Sequence, residues 1–101
     1  MRADSRNGSK DGRSAAERSR RALIARLARV EGQLRGVQRL IAEGESCEVI
    51  AQQLSAGRKA LDKAFFELLA CAIEHPQMAG DRGENKRDRM HRVARTLAKF
   101  G

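Results

Sequence analysis

Two cysteines and one histidine are the residues of this sequence best suited to bind a metal ion or to react: Cys47, Cys71 and His75. Cys71 and His75 are four residues apart, so on a helix their side chains face the same way and can hold one ion. Two thiolates and an imidazole suit a soft metal ion, Cu(I) or Zn(II). The same thiols could instead be oxidised, persulfidated or trapped by an electrophile, with no metal cofactor. Structural roles also stay open, because a free cysteine often packs as a small apolar residue and His75 could cap a helix end.

The segment that carries these residues is predicted to be one long helix that ends before Pro76. Its apolar and small residues recur at alternating steps of three and four, as in a helix packed lengthwise on a partner helix. At about 1.5 Å rise per residue the two cysteines lie roughly 36 Å apart, so they cannot meet within one chain. Antiparallel pairing of two copies, centred near Leu61, would place Cys47 of one protomer near Cys71 and His75 of the other. The residues of the repeat are Cys47, Ile50, Leu54, Gly57, Leu61, Ala64, Leu68, Cys71 and His75.

Composition limits the fold class and the partner. The chain has 101 residues and one proline, which predicts a single small all-α domain. The formal net charge of +8 favours an acidic partner, most often nucleic acid. Because the aromatic residues are three Phe only, contact with duplex phosphates is favoured over stacking on single strands. The absence of an apolar run near ~20 residues and of a secretory leader predicts no membrane partner and a cytoplasmic protein with reduced thiols.

Three helices are predicted, at about 14–43, 46–75 and 84–99, within one domain of residues 14–101. Residues 1–13 are predicted to form a disordered basic tail. Ser14 opens the first helix as the start of a capping box, and Gly44 ends it. Gly32 and Gly36 are expected to allow close approach of a neighbouring helix.

Arginines and lysines on the first two helices form the candidate DNA-binding surface. Five of them lie opposite the apolar face of the first helix, and three more lie at the middle of the second, beside the predicted twofold axis. A solvated face is the alternative, with the chain acting as a helical oligomerisation module or adaptor without specific DNA binding. Acid–base and nucleophile constellations are absent, so an enzyme is not expected. The predicted contacts are Arg21, Arg26, Arg29, Arg35, Arg39, Arg58, Lys59 and Lys63.

Residues 26–41, RLARVEGQLRGVQRLI, resemble the RL-R-EGQ-RG signature of the copper-sensing operon repressor family. The resemblance covers about residues 20–75 without a gap and places Cys47 at the position of the cysteine in the family's second helix. It implies a three-helix protomer, an antiparallel four-helix-bundle dimer and usually a tetramer built as a dimer of dimers. It also implies repression through double-stranded operator DNA, released when the cysteine site binds a metal or is modified.

The sequence departs from the family where the inducer is recognised. Ala72 and Pro76 stand where copper sensors have a histidine and a second cysteine, so the usual copper triad is absent. Residues 1–20 contain no histidine for a nickel site and no proline as in formaldehyde sensors, and Pro76 replaces the later cysteine of persulfide sensors. Cys71 and His75 each come one residue earlier than those ligands, which rotates them by about 100° on a helix. Copper, zinc, nickel, formaldehyde and reactive sulfur therefore all stay open as inducers.

Overall fold

A computed structural model describes the backbone of residues 8–75 and 83–101 and the side chains of residues 14–75 and 83–101. The described chain forms three helices: α1 (Gly8–Ala42), α2 (Cys47–Glu74) and α3 (Lys86–Phe100). These ranges contain no strand, which confirms the all-α, three-helix prediction. No helix within them combines the length and the apolar content that crossing a bilayer requires.

The start of α1 differs from the prediction. The helix begins at Gly8, so Ser14 lies inside it and residues 8–13 are helical, whereas the sequence analysis placed them in a disordered tail. No proline interrupts this segment, and a helix already nucleated gains one backbone hydrogen bond for each residue it adds. Residues 1–7 of the predicted tail lie outside the described residues.

The turn between α1 and α2 is a Schellman motif centred on Gly44, whose φ is +75°. The Gly44 N–H donates to the Ile41 carbonyl (3.1 Å), and the Glu45 N–H donates to the Leu40 carbonyl (3.0 Å). These bonds satisfy carbonyls that the helix end would leave without partners. Gly44 thus ends α1 as predicted, because glycine adopts the left-handed conformation at no steric cost.

The N-terminus of α2 is capped by the residue before it. Ser46 Oγ accepts a hydrogen bond from the Val49 N–H at 3.2 Å, which satisfies one of the free amides of the first turn. Glu48 adds negative charge to that turn, where the helix dipole favours it. The Ser46 cap before Cys47 and the charge of Glu48 after it therefore both favour the start of α2 at Cys47.

A cap and an ion pair hold α3 at its start. Asn85 Oδ1 accepts from the Asp88 N–H at 2.8 Å. Arg92 donates from Nη2 (3.0 Å) and Nε (3.1 Å) to Glu84 Oε1, which fastens the residues before the helix to its second turn. The helix therefore begins at Lys86, after these two residues, and it ends at Phe100, one residue beyond the predicted end.

The chain divides into two compact units. One, here called the hairpin unit, is Ala22–Phe66, and the other, the terminal unit, consists of Met1–Arg21 and Glu67–Gly101. In the hairpin unit a methyl group built on Gly57 would lie 3.6 Å from Leu34 Cδ2, so α1 and α2 are close neighbours there. The prediction for Gly32 and Gly36 is wrong within the protomer, since a methyl group on either would meet no atom within 4 Å. The glycine at the close approach is Gly57.

Apolar residues of the hairpin unit separate into a buried stripe and an exposed stripe on each helix. Each stripe has a seven-residue repeat, because seven residues are close to two helical turns. The buried stripes are Leu23, Val30 and Val37 on α1, and Gly57 and Ala64 on α2. The exposed stripes are Leu27, Leu34 and Ile41 on α1, and Leu54 and Leu61 on α2.

Ser46→Ala should lower the free energy of unfolding by about 1 kcal/mol, because the Val49 amide loses its acceptor. Ser14→Ala is the matched control, and it should change stability by less than about 0.5 kcal/mol because Ser14 lies inside α1 and Ala favours a helix. Urea unfolding at one fixed protein concentration measures both, since any self-association would make the apparent stability depend on concentration. Equal effects of the two substitutions would contradict this assignment of the cap.

Candidate functional site

Cys47 is an exposed thiol at the first position of α2. Its immediate neighbours Ser46 and Glu48 are exposed as well, and Leu54, seven residues further along the helix, is 48% exposed. In the single protomer the Cys47 thiol is therefore open to an ion, an electrophile or a second subunit.

Cys71 and His75 lie at the other end of α2, in the terminal unit. Cys71 is only 7% exposed, whereas His75 is half-buried. The His75 N–H donates to the Cys71 carbonyl at 2.7 Å, so the helical turn continues to His75 although α2 ends at Glu74. The His75 Nε2 atom is 4.0 Å from the Glu74 carboxylate, which stands at the edge of ion-pair range. The two predicted ligands at this end are thus unequal, one packed inside the protomer and one at its surface.

No group of three or more His, Cys, Asp or Glu side chains within residues 14–75 and 83–101 of one chain is arranged to hold a metal ion. The three predicted ligands are therefore not assembled within the protomer. Because α2 is one continuous helix from Cys47 to Glu74, Cys47 and Cys71 lie near its opposite ends, and their meeting across two chains stays a prediction.

The exposed stripes of the hairpin unit border an open apolar groove of about 640 Å³. Leucines from both helices line it, with the small residues between them forming its floor and Arg58 at its edge. Leu54 and Leu61 are each about half exposed, at 48% and 49%, which is unusual for leucine in the middle of a helix pair. The lining residues are Val30, Leu34, Ala51, Leu54, Ser55, Gly57, Arg58 and Leu61.

The predicted DNA-binding residues differ in their exposure and in the side of the helix on which they lie. Arg26 is half-buried and takes part in an interaction within the protomer, so it belongs to the packed side of α1. Arg58 lines the apolar groove, whereas Lys59 and Lys63 lie on the far side of α2 from Leu61, at about 100° of rotation per residue. The remaining predicted contacts are exposed: Arg21, Arg29, Arg35 and Arg39 on α1.

A model of the metal-sensitive transcriptional repressor family matches residues 19–99 of the chain. The chain belongs to this family. Neither the curated proteins nor the solved structures contain a significant match. The family match confirms the resemblance found in residues 26–41 and extends it through α3. Metal-sensitive transcriptional repressors are regulators and not enzymes, which confirms the expectation that the chain is not an enzyme.

The sequence analysis left packing and ligand binding both open for Cys71, and the structure shows Cys71 buried in its own protomer. Residue size carries the signal that could have shown this. From Leu54 to Cys71 the repeat alternates between large residues (Leu54, Leu61) and small ones (Gly57, Ala64, Cys71), whereas Ile50 and Cys47 before it do not follow this rule. Small residues allow a neighbouring helix to pack closely, so their side of the helix is the one that the protomer itself covers.

The two thiols should react at very different rates. In the reduced protein we expect Cys47 to be alkylated by iodoacetamide at least several-fold faster than Cys71, because access to the sulfur limits the reaction. Timed quenching followed by peptide mass mapping gives both rates in one sample. Faster alkylation of Cys71, or equal rates in the native protein, would contradict the burial of its sulfur, and unfolding in urea should make the rates equal.

Proposed function

We propose that this protein is a cytoplasmic repressor that binds double-stranded operator DNA as a homodimer or homotetramer. Its DNA affinity falls when an inter-subunit site containing Cys47 binds a metal ion or is chemically modified. The observation that carries the proposal is the exposed thiol of Cys47 on the same helix as the exposed leucines Leu54 and Leu61, in a chain of the metal-sensitive repressor family.

The half-exposed leucines support a second copy of the chain as the partner of the apolar groove. Covering one half-exposed leucine contributes on the order of 1 kcal/mol, and a twofold axis doubles every such contribution. An antiparallel arrangement centred on Leu61 sets Leu54 opposite Leu68 of the partner subunit and Cys47 opposite His75 of the partner subunit. Both Leu68 and His75 are at least partly exposed, so they are available for these contacts.

The donor set fits a soft metal ion held between subunits. Cys47 would supply a thiolate and His75 an imidazole nitrogen, and Cys71 is the second thiolate within about one helical turn of His75. Cu(I) or Zn(II) suits this set, and the bound ion would supply only a fixed crosslink between two chains. Cys71 is 7% exposed in the protomer, so this form of the proposal includes a movement of the last turn of α2 that makes its sulfur accessible.

Chemical modification of Cys47 is the other form of the proposal, and it requires no metal. The Cys47 thiolate would attack the outer sulfur of a low-molecular-weight persulfide, forming a new S–S bond while the donor leaves as a thiolate. Formaldehyde would add to the same thiolate to form a C–S bond, with a proton going to the new hydroxyl group. Both reactions require only the one exposed sulfur, so both are compatible with the burial of Cys71.

Exposed cations are the proposed contacts to the DNA phosphates. On α1 they are Arg21, Arg29, Arg35 and Arg39, and on α2 they are Arg58, Lys59 and Lys63. Arg26 was predicted with this group, but its half-buried position makes it the weakest candidate. Arg58 touches both the groove and the basic surface, so a shift of the dimer contact changes the position of a phosphate-binding group. This link is the proposed coupling between inducer and DNA.

Substitution of one exposed leucine should weaken the dimer without unfolding the protomer. Leu61→Ser should weaken the dimer by tenfold or more in dissociation constant, because each copy then buries less apolar surface at the twofold axis. Phe66→Ser is the matched control: Phe66 is 53% exposed on the same helix and in the same unit, but it lies on another side of α2 from Leu61. Sedimentation equilibrium gives the dissociation constants, and circular dichroism confirms the helices. If the two variants dissociate equally, the groove is not the dimer contact.

The response to inducers should depend on Cys47. We expect wild-type protein to bind duplex DNA with a steep dependence on salt, and one of Cu(I), Zn(II), Ni(II), formaldehyde or a persulfide donor to weaken that binding by fivefold or more. Cys47→Ala should keep the DNA affinity and lose the response, whereas Cys71→Ala should lose it only for a metal or a disulfide.

Fluorescence anisotropy with the genomic duplex upstream of the gene measures these affinities. A response to every inducer that survives Cys47→Ala would exclude the cysteine site. Weak binding with little salt dependence would exclude the repressor itself and favour an adaptor.

A further inference from the structure

The outer face of α3 carries a row of basic residues that the proposed DNA contacts on α1 and α2 do not include. Four residues spaced by four form the row, here called the basic ridge of α3. Residues spaced by four form a continuous ridge on a helix, with about 6 Å of rise from one to the next. The members are Arg87, His91, Arg95 and Lys99.

Burial shows that this ridge lies on the side of α3 away from its own buried residues. Arg89 and Val93 are the buried residues of α3. His91 and Arg95 lie two residues before and after Val93, which places each about 160° around the helix from it. All four members of the ridge are exposed.

The cations of the ridge are available for a partner. Within the described part of the chain, Arg87, Arg95 and Lys99 take part in no ion pair, and the Lys99 ammonium only lies 5.4 Å from the exposed ring of Phe100. The other two arginines of α3 are held by the protomer: Arg92 pairs with Glu84, and Arg89 is buried with Nη1 donating to the Glu84 carbonyl. One helix thus has two arginines that serve its own packing and four exposed cations, of which Arg87, Arg95 and Lys99 belong to the ridge and Lys86 does not.

The chemistry of the ridge favours a phosphate backbone over a protein or a second copy. Ala94 and Ala98 lie between its members, and Met90, which is 45% exposed, borders its first turn beside Arg87 and His91. One exposed methionine beside three cations adds little apolar surface, so charge dominates the face. A second copy facing it would set like charges against each other. A row about 18 Å long matches the run of several phosphates along one strand of duplex DNA.

We infer that the basic ridge of α3 is a further DNA-binding surface, which contacts the phosphates of the duplex without reading its sequence. The inference rests on the proposed function, because it adds to the DNA contacts of the repressor. Phosphate contacts of this kind position a protein on DNA and carry no base information. Removal of the ridge therefore weakens binding to all duplexes alike.

Arg95→Gln in the full-length reduced protein tests the inference, with Lys86→Gln as the matched control. Lys86 is exposed and lies at the start of the same helix, beside Arg87 but about 180° around the helix from Arg95. Both variants lose one charge from α3, and only Arg95→Gln removes it from the middle of the ridge. Anisotropy is measured over a salt series with a mixed-sequence duplex and with the genomic duplex upstream of the gene. Arg95→Gln should weaken binding to both by about threefold to tenfold and reduce the salt slope by about one, since one phosphate is no longer neutralised, while Lys86→Gln changes neither.

The triple variant Arg87→Gln/Arg95→Gln/Lys99→Gln should weaken binding further, with helix content and sedimentation mass unchanged. Equal slopes for Arg95→Gln and Lys86→Gln in a protein that binds DNA would overturn the inference and leave the proposed function standing. A change of oligomer mass in the triple variant would also overturn it, in favour of a protein contact. Failure of the wild-type protein to bind either duplex would remove the proposed function together with the inference.

Discussion

Packing of the small-residue side of α2, Gly57 and Ala64, against α1 is the interaction on which the arrangement of the hairpin unit depends. With no side chain at Gly57, Leu34 of α1 comes within van der Waals distance of where a methyl group would stand. The small side of α2 is thereby turned toward α1, and the larger Leu54 and Leu61 are left about half exposed. Leucines on a helix surface are either exposed to solvent or covered by a partner, and the hydrophobic effect favours their burial. The size of the residues along α2 thus decides which of them the protomer covers and which remain available for the proposed dimer contact.

The two cysteines differ in exposure because Cys71 lies on the covered side of α2 and Cys47 on its exposed side. Cys71 continues the small-residue repeat of Gly57 and Ala64 and is buried, whereas Cys47 continues the repeat of Leu54 and Leu61 and is exposed. A buried thiol is protected from reagents and costs little to keep, while an exposed one is available for chemistry. In the proposed metal site, which uses both sulfurs, exposure of Cys71 would couple inducer binding to a change in the conformation of α2.

Much of the fold followed from pattern alone. The apolar repeats predicted three helices, Gly44 predicted the end of α1, and the signature in residues 26–41 predicted the family that the match over residues 19–99 confirms. The start of α1 was wrong because helix propagation past Ser14 depends on small energies that no single motif records. The burial of Cys71 and the half-buried position of Arg26 depend on how closely neighbouring helices pack. The alternating three- and four-residue spacing of apolar residues does not by itself show which of them the protomer covers. The pairing of Cys47 with a second chain stays a prediction.

The corner between α1 and α2 has a mechanical consequence for Cys47. Hydrogen bonds at Gly44 and Glu45 close the end of one helix, and the Ser46 hydroxyl closes the start of the next, so the three residues before the sulfur have little freedom to flex. The turn Gly44–Ser46 therefore cannot easily change conformation to accommodate a bulky adduct or a metal bond at the Cys47 sulfur. Such a group would instead change the angle between α1 and α2 at the turn. A small change of angle there would displace residues far along either helix by a larger distance.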